Sequence, residues 1–188
     1  MSRILIAYAT SEGQTAKIAR FLAGQLQALG HSVQPIALDA GDTSPDPSAY
    51  EAVIVAASVH AGRHQKSALH YVQRYRDVLA ERVAAFLSAS MAAAATKDTG
   101  LRQASEQAEA FLNEAGWRPE QVEMVGGAFR LSRLSWLYRW MTRIGQKLFK
   151  KELGRLGWPD DLTRDVELTD WDGLHRFAER FAARLQSD

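Results

Sequence analysis

The chain of 188 residues carries a formal net charge of +1, with 46% hydrophobic and 24% charged residues. These values are typical of a folded protein, and we expect residues 1–188 to form a single domain. The chain has no cysteine, which excludes a disulfide scaffold, a thiolate metal site and a cysteine nucleophile. The apolar run at the N-terminus is too short for a signal peptide, and no stretch approaches the roughly 20 apolar residues that span a bilayer.

Apolar runs of strand length alternate along the chain with segments whose apolar residues recur three and four apart. We predict strands at 3–8, 31–38, 50–58, 82–90 and 121–130. We predict helices at 15–30, 66–79, 100–116 and 170–186, with Thr169 and Asp172 forming a capping box at the last one. This alternation predicts an α/β fold with a doubly wound parallel sheet, about five strands wide, and helices on both faces.

One segment, which we term the basic insert (about residues 131–158), interrupts this alternation before the last predicted helix. Between residues 130 and 158 there are eight basic residues and one acidic residue. The whole chain has a net charge of +1 and this segment one of +7, so the remainder has one of −6. Apolar residues spaced three and four apart predict that the insert is mainly helical.

A polar stretch with the sequence TSEGQT leads from the first predicted strand into the first predicted helix. It comprises Thr10, Ser11, Glu12, Gly13, Gln14 and Thr15. Amides at a helix N-terminus favour an anion, and the hydroxyl groups add neutral donors. The stretch lacks the lysine of a nucleotide-triphosphate loop and the G-x-G-x-x-G dinucleotide pattern. It therefore predicts a site for a single phosphate, with Glu12 facing solvent; a plain Ser/Thr helix cap is the alternative.

Two further stretches of small residues follow the third and fourth predicted strands, at the same edge of the sheet. They comprise Ser58, Val59, His60, Ala61 and Gly62, and then Ser88, Ala89, Ser90 and Met91. Small residues let the main chain approach a flat ligand, so together with the phosphate stretch they predict a site for flavin mononucleotide (FMN). His60 either contacts the ring or is simply exposed to solvent.

These stretches, with GGAFR at 126–130 and GWPDDLTRDVELTDW at 157–171, make the chain resemble the flavodoxin superfamily. Within it, the chain is similar to the menaquinone-dependent protoporphyrinogen IX dehydrogenases over nearly its whole length. The resemblance implies bound FMN, oxidation of protoporphyrinogen IX to protoporphyrin IX in haem biosynthesis, and transfer of the electrons to menaquinone or ubiquinone. The family tends to have Gly-Gly-Pro-Thr-Asp-Thr where this chain has Gly-Trp-Pro-Asp-Asp-Leu at 157–162.

The basic insert combines cationic residues with tryptophans at the border of an apolar stripe, which is typical of a helix on a membrane surface or on a partner. The residues that we expect to contact the substrate or an anionic membrane are Arg130, Arg133, Trp136, Arg139, Trp140, Arg143, Lys147 and Lys150. The alternative is an ordinary surface helix packed on the domain. We expect a cytoplasmic protein that binds peripherally to the inner face of the cell membrane.

No group of His, Asp and Glu has the spacing of a metal site, and no nucleic-acid motif accompanies the basic residues. We assign no catalytic side chain, because the flavin would supply the redox chemistry. Two other functions remain open. One is a flavodoxin-type electron carrier without a small-molecule substrate, and the other is an interaction module without flavin.

Overall fold

A parallel sheet lies at the centre of the structure, a computed structural model that describes residues 1–38, 44–95, 97–129 and 166–186. The parallel strands are β1 (Arg3–Ala9), β2 (Ser32–Ala37), β3 (Ala52–His60), β5 (Val83–Ser90) and β6 (Gln121–Gly126), and the short β4 (Arg63–His64) pairs antiparallel with β3. The helices in the described ranges are α1 (Gln14–Ala28), α2 (Lys66–Ala80), α3 (Asp98–Ala115) and α4 (Trp171–Arg184).

The spatial order of the parallel strands is β2-β1-β3-β5-β6. The chain therefore moves outward from β1 to β2, returns to the other side of β1 to form β3, and continues in that direction. The point between β1 and β3 is the switch point, beyond whose carboxyl ends an open α/β sheet binds its ligand. The predicted doubly wound sheet is confirmed.

The two faces of the sheet are covered by different helix pairs because alternate strand residues point to opposite sides. Ile4 and Ile6 of β1 face a cluster that contains Leu22 of α1 and Phe177 of α4. Leu5 and Ala7 face the other cluster, to which α2 and α3 contribute Tyr71, Val72, Phe111 and Leu112. All these residues are buried, and the core therefore holds the strand ends in fixed positions.

A small second sheet lies beside the carboxyl end of β6. It consists of β7 (Ala128–Phe129) and β8 (Val166–Glu167), which pair antiparallel with Phe129 opposite Val166. Gly126 is required before it, since a Cβ there would lie 2.1 Å from the carbonyl oxygen of Leu168. Phe129 and Val166, which flank residues 130–165 in the sequence, are therefore neighbours in this small sheet.

Several boundaries differ from the prediction. The strand predicted at 121–130 is interrupted at Gly127, whose N–H donates to the carbonyl oxygen of Ser90 at 2.9 Å. The capping box is wrong: the N-cap of α4 is Asp170, whose Oδ1 accepts from the N–H of Gly173 at 2.9 Å. Thr169 is directed elsewhere, because its hydroxyl donates to the carbonyl oxygen of Gly126. The basic insert lies outside the described residues.

Candidate functional site

A cavity of about 390 Å³ lies at the carboxyl ends of β1, β3 and β5. All three stretches predicted from the sequence contribute to its wall. They supply Thr10, Ser11, Glu12, Gln14, Thr15, Ser58, Val59, His60, Ala61, Gly62, Ala89, Ser90 and Met91. The wall also contains Ala92, Gln103, Gln107 and Gly127, which were not among the predicted site residues. Its position at the switch point and its volume suit a small-molecule ligand.

The loop after β1 is shaped by a glycine in the left-handed region. Gly13 has φ 86° and ψ 0° and is the N-cap of α1 without any side-chain capping bond. Its N–H donates to Thr10 Oγ1 at 2.9 Å, which closes the loop. The alternative of an ordinary Ser/Thr cap is therefore wrong. Gly13 sets the shape of the loop through its backbone conformation, but it is not among the residues that line the cavity.

Thr15 and Glu12 differ in how far they are buried. Thr15 lies in the first turn of α1 and is fully buried, and its Oγ1 has no hydrogen-bond partner among the described residues. A buried hydroxyl without a partner is costly, so this atom is available to a ligand. Glu12 was expected to face solvent, but it is partly buried and lines the cavity.

The stretch after β3 is a tight hairpin that leads into β4. His60 pairs with Arg63, and the two residues between them have positive φ, 49° at Ala61 and 82° at Gly62. Two consecutive residues with positive φ form the hairpin turn that matches the twist of the strands. Ala61 accepts a conformation that disfavours a side chain. The turn holds His60 exposed at the rim of the cavity.

Gln65 connects the first two stretches and was missed by the sequence analysis. Its Nε2 donates to Ser11 Oγ at 3.0 Å and also to Ser58 Oγ. One carboxamide therefore fixes the loop after β1 to the end of β3. A lone glutamine before a helix gives no signal for this role in the sequence.

Ser88 was predicted to contact the ligand, but it lies beneath the cavity. It is fully buried, and its Oγ is 2.9 Å from Nε2 of His64. The imidazole ring packs against the stacked pair of Phe86 and Phe111, with centroid distances of 5.3 and 5.0 Å. Burial lowers the pKa of His64 to about 4. The pair is therefore uncharged at neutral pH and supports the hairpin from within.

The loop after β1 is also tied to the small β7–β8 sheet. Gln14 Nε2 donates to Thr169 Oγ1 at 2.9 Å, and Thr169 Oγ1 donates to the carbonyl oxygen of Gly126 at 2.9 Å. Lys17 Nζ forms an ion pair with Glu167 at 2.7 Å. These bonds hold the region around Phe129 and Val166 close to the cavity, whose wall includes Gly127.

The residues predicted to contact the substrate or a membrane lie outside the described residues. They are Arg130, Arg133, Trp136, Arg139, Trp140, Arg143, Lys147 and Lys150. In the ranges that are described, no helix is long and apolar enough to cross a membrane.

Comparison with known proteins agrees with this architecture. The model of the flavodoxin domain family matches residues 5–152, most of the chain. The chain belongs to this family. This flavodoxin domain is 29% identical over 184 residues to protoporphyrinogen IX dehydrogenase [quinone] of Escherichia coli strain K12, covering 96% of this chain and 94% of that protein. It is 28% identical over 182 residues to the Leishmania major protein of the same name, covering 96% and 75%.

Solved flavodoxins have the same fold. The flavodoxin of Streptococcus pneumoniae TIGR4 superposes with a TM-score of 0.56 at 17% identity, over 97% of this chain and 99% of that one. Oxidised flavodoxin 2 of Bacillus cereus also gives a TM-score of 0.56, at 19% identity and the same coverage. The predicted fold and the predicted family are both confirmed.

Proposed function

We propose that the cavity binds FMN. Its wall combines a phosphate-sized loop with an unpartnered buried hydroxyl at Thr15, and flanking loops of small residues that admit a flat ring. Thr10, Ser11 and Thr15 would hold the phosphate, and Ser58–Gly62 and Ala89–Met91 would flank the ring. The loop supplies neutral donors and a helix N-terminus, which suit one phosphate group. When bound, FMN accepts the electrons removed from a substrate and passes them to an acceptor.

We further propose that the protein is a quinone-dependent protoporphyrinogen IX dehydrogenase of haem biosynthesis. The observation that carries this proposal is the β7–β8 pairing. Phe129 and Val166 lie opposite each other, next to Gly127 in the cavity wall, so both ends of the intervening chain are fixed beside the flavin site. That chain contains the basic insert, whose cations suit a substrate with carboxylate groups. The similarity to curated dehydrogenases of this name over 96% of the chain supports the same function.

The chain's own side chains bind and orient the reactants in this proposal. Gln65 joins Ser11 to Ser58 and so fixes the phosphate loop relative to the hairpin. The uncharged His64–Ser88 pair keeps the base of the hairpin rigid. We assign no acid or base; in this proposal the chain contributes by aligning the substrate with the cofactor.

The basic insert gives the protein a route to its electron acceptor, because a respiratory quinone resides in the bilayer. We propose that the insert binds the anionic inner surface of the cell membrane peripherally. Each Lys or Arg near an anionic leaflet contributes about 1 kcal/mol, and buried tryptophan adds to it. Reversing Arg139, Arg143, Lys147 and Lys150 to glutamate should abolish binding to anionic vesicles while flavin binding is kept. Unchanged vesicle binding by that variant would exclude the insert as the membrane anchor.

The second candidate function is a flavodoxin-type electron carrier, which the shared fold favours. One anaerobic experiment separates the two functions. The purified full chain with FMN is mixed with protoporphyrinogen IX, with and without a menaquinone analogue in anionic vesicles, and porphyrin fluorescence is followed. The dehydrogenase forms porphyrin only with quinone present. A protein that binds flavin and exchanges electrons with a reductase, yet forms no porphyrin, is an electron carrier.

A further inference from the structure

Two glutamine side chains from α3 form a part of the cavity wall that has no role so far. Gln103 and Gln107 are four residues apart, so they lie on the same face of the helix, one turn from each other. Ala104 and Ala108, which follow them, are buried against the sheet. The packing of α3 therefore places both glutamines on the side of the helix that lines the cavity.

Gln107 has an unused acceptor. Its Oε1 is shielded from solvent and has no hydrogen-bond partner among the described residues. A buried acceptor without a donor destabilises the protein unless a ligand supplies the donor. Ser90, in the same cavity wall, accepts from the N–H of Ala93 at 3.1 Å, and its hydroxyl forms no hydrogen bond with Gln107 Oε1. Met91 and Ala92, in the same part of the wall, have no polar side-chain donor.

The strand order places Gln107 away from the phosphate loop. That loop follows β1, whereas α3 follows β5, which lies beyond β3 in the sheet. FMN is an elongated molecule with the phosphate at one end and the ring at the other. If the phosphate occupies the loop at Thr10–Thr15, the ring is the part that can reach the α3 side of the cavity.

We propose that Gln107 is a positioning residue that hydrogen-bonds the imide edge of the flavin ring and selects its orientation. This inference rests on the proposed function, in that FMN occupies the cavity. The imide edge alternates carbonyl acceptors with one N–H donor, and a carboxamide offers an acceptor beside a donor. Oε1 of Gln107 accepts from the ring N–H, and its NH₂ donates to an adjacent ring carbonyl. Gln103 lies one turn away and extends the polar wall on that side.

The experiment compares FMN with its N3-methylated form, in which the ring N–H is replaced by a methyl group. The full chain is stripped of flavin and titrated with each compound, and the same titrations are made with Gln107→Met. Methionine has nearly the same shape and helix propensity but cannot form these hydrogen bonds. Glu106→Met, at an exposed position of the same helix, is the matched control. Thermal unfolding of each apoprotein checks that the variants are folded.

We expect the parent to bind FMN about tenfold or more tightly than N3-methyl-FMN, the usual effect of one hydrogen bond to a buried partner. Gln107→Met should bind FMN about tenfold more weakly and lose the discrimination, whereas Glu106→Met should behave as the parent. Equal binding of the two flavins by the parent, or full discrimination by Gln107→Met, would overturn the inference while leaving FMN binding intact. A parent that binds neither flavin would overturn the proposed function itself.

Discussion

The two ends of the central sheet each carry a hollow, and the polar groups around them are arranged differently. The amino-end hollow is the larger, at about 590 Å³ against 390 Å³. Four of the charged residues that line it have partners: Arg3 pairs with Glu51 at 3.6 Å, Glu120 pairs with Arg184 at 2.6 Å, and Arg82 Nε donates to the carbonyl oxygen of Tyr50 at 3.0 Å. The carboxyl-end cavity has neutral Thr15 and Gln107, each with a buried oxygen that lacks a partner among the described residues.

The larger cavity is therefore not the better candidate, and volume alone does not identify a ligand-binding site. Most charges around the amino-end hollow are paired at the surface, and none of the described residues that line it has a buried polar side-chain atom without a partner. The carboxyl end keeps hydrogen-bonding capacity that a ligand can use, and a stable fold tolerates this cost at functional positions. A wall of small residues with neutral hydrogen-bonding groups such as Thr15 and Gln107 suits a flat cofactor with one phosphate group.

The first prediction concerns the basic insert, which lies between β7 and β8 in the sequence. Phe129 and Val166 are paired, so a short turn can connect β7 to β8. In the variant, residues 131–164 are replaced by Asn-Gly, which forms a two-residue hairpin turn. We expect a folded protein that binds FMN but no longer reduces quinone with protoporphyrinogen IX, measured by porphyrin fluorescence. Retained activity would show that the substrate and acceptor do not need the insert. Loss of folding would show that the insert belongs to the core.

The second prediction uses the buried neutral pair below the cavity. The pKa of His64 is lowered from 6.5 to about 4 by burial. As the pH falls below 6.5, the unfolded chain takes up a proton that the folded chain does not, so stability decreases until the pH reaches about 4. The decrease amounts to roughly 3 kcal/mol at most. Urea unfolding between pH 7 and pH 4 should show a weaker pH dependence for His64→Gln, which keeps a hydrogen-bonding partner for Ser88. An identical dependence would mean that folding does not lower the pKa of His64.

The third prediction separates ligand binding from folding at Thr15. Thr15→Val removes the unpartnered hydroxyl with little change of shape. We expect FMN to bind about tenfold more weakly, because a hydrogen bond to a charged phosphate contributes about 1.5 kcal/mol or more. Riboflavin, which lacks the phosphate, should bind the parent and the variant equally, and the apoprotein should unfold at the same or a higher urea concentration. Equal weakening of FMN and riboflavin would place the phosphate elsewhere.

The smallest expected effect lies at the amino end. Glu120→Gln removes an ion pair with Arg184 in which both side chains are about half exposed. Such pairs contribute about 0–1 kcal/mol, and less at high salt. Urea unfolding should therefore change by no more than this, and the FMN titration should not change at all. Weaker flavin binding by this variant would show that the amino-end hollow also contributes to the flavin site.

The sequence predicted the parallel strands and the helices on both faces because long apolar runs and regular spacing dominate those segments. It missed β4, because two residues cannot form a periodic pattern and the turn uses Ala61 where Gly or Asn would give a signal. The break at Gly127 was also missed, since the strand's apolar run continues past it. It depends on a backbone contact with Ser90, far away in the sequence.

The sequence predicted which loops line the cavity at the carboxyl ends of the strands, but not the details of its wall. Three loops were found because strand ends at one edge of a parallel sheet must lie together. Ser88 was predicted to contact the ligand but lies beneath the cavity, because β5 continues through this residue and its hydroxyl is directed toward His64. Gln103 and Gln107 could have been found from their four-residue spacing beside the buried alanines of α3. Gln65 and Thr169 act through distant partners that no local pattern reveals.

An amide NMR titration of the full chain with FMN tests the contrast between the two ends of the sheet most directly. We predict shifts that saturate with FMN at Thr10–Thr15, at the hairpin around Ala61, at Met91 and Ala92, and along α3 near Gln107. Amides around the amino-end hollow, at Arg3, Glu51, Arg82 and Glu120, should not move. Shifts centred on the amino-end hollow, or none at the loop after β1, would contradict the assignment of the flavin site to the carboxyl ends of the strands.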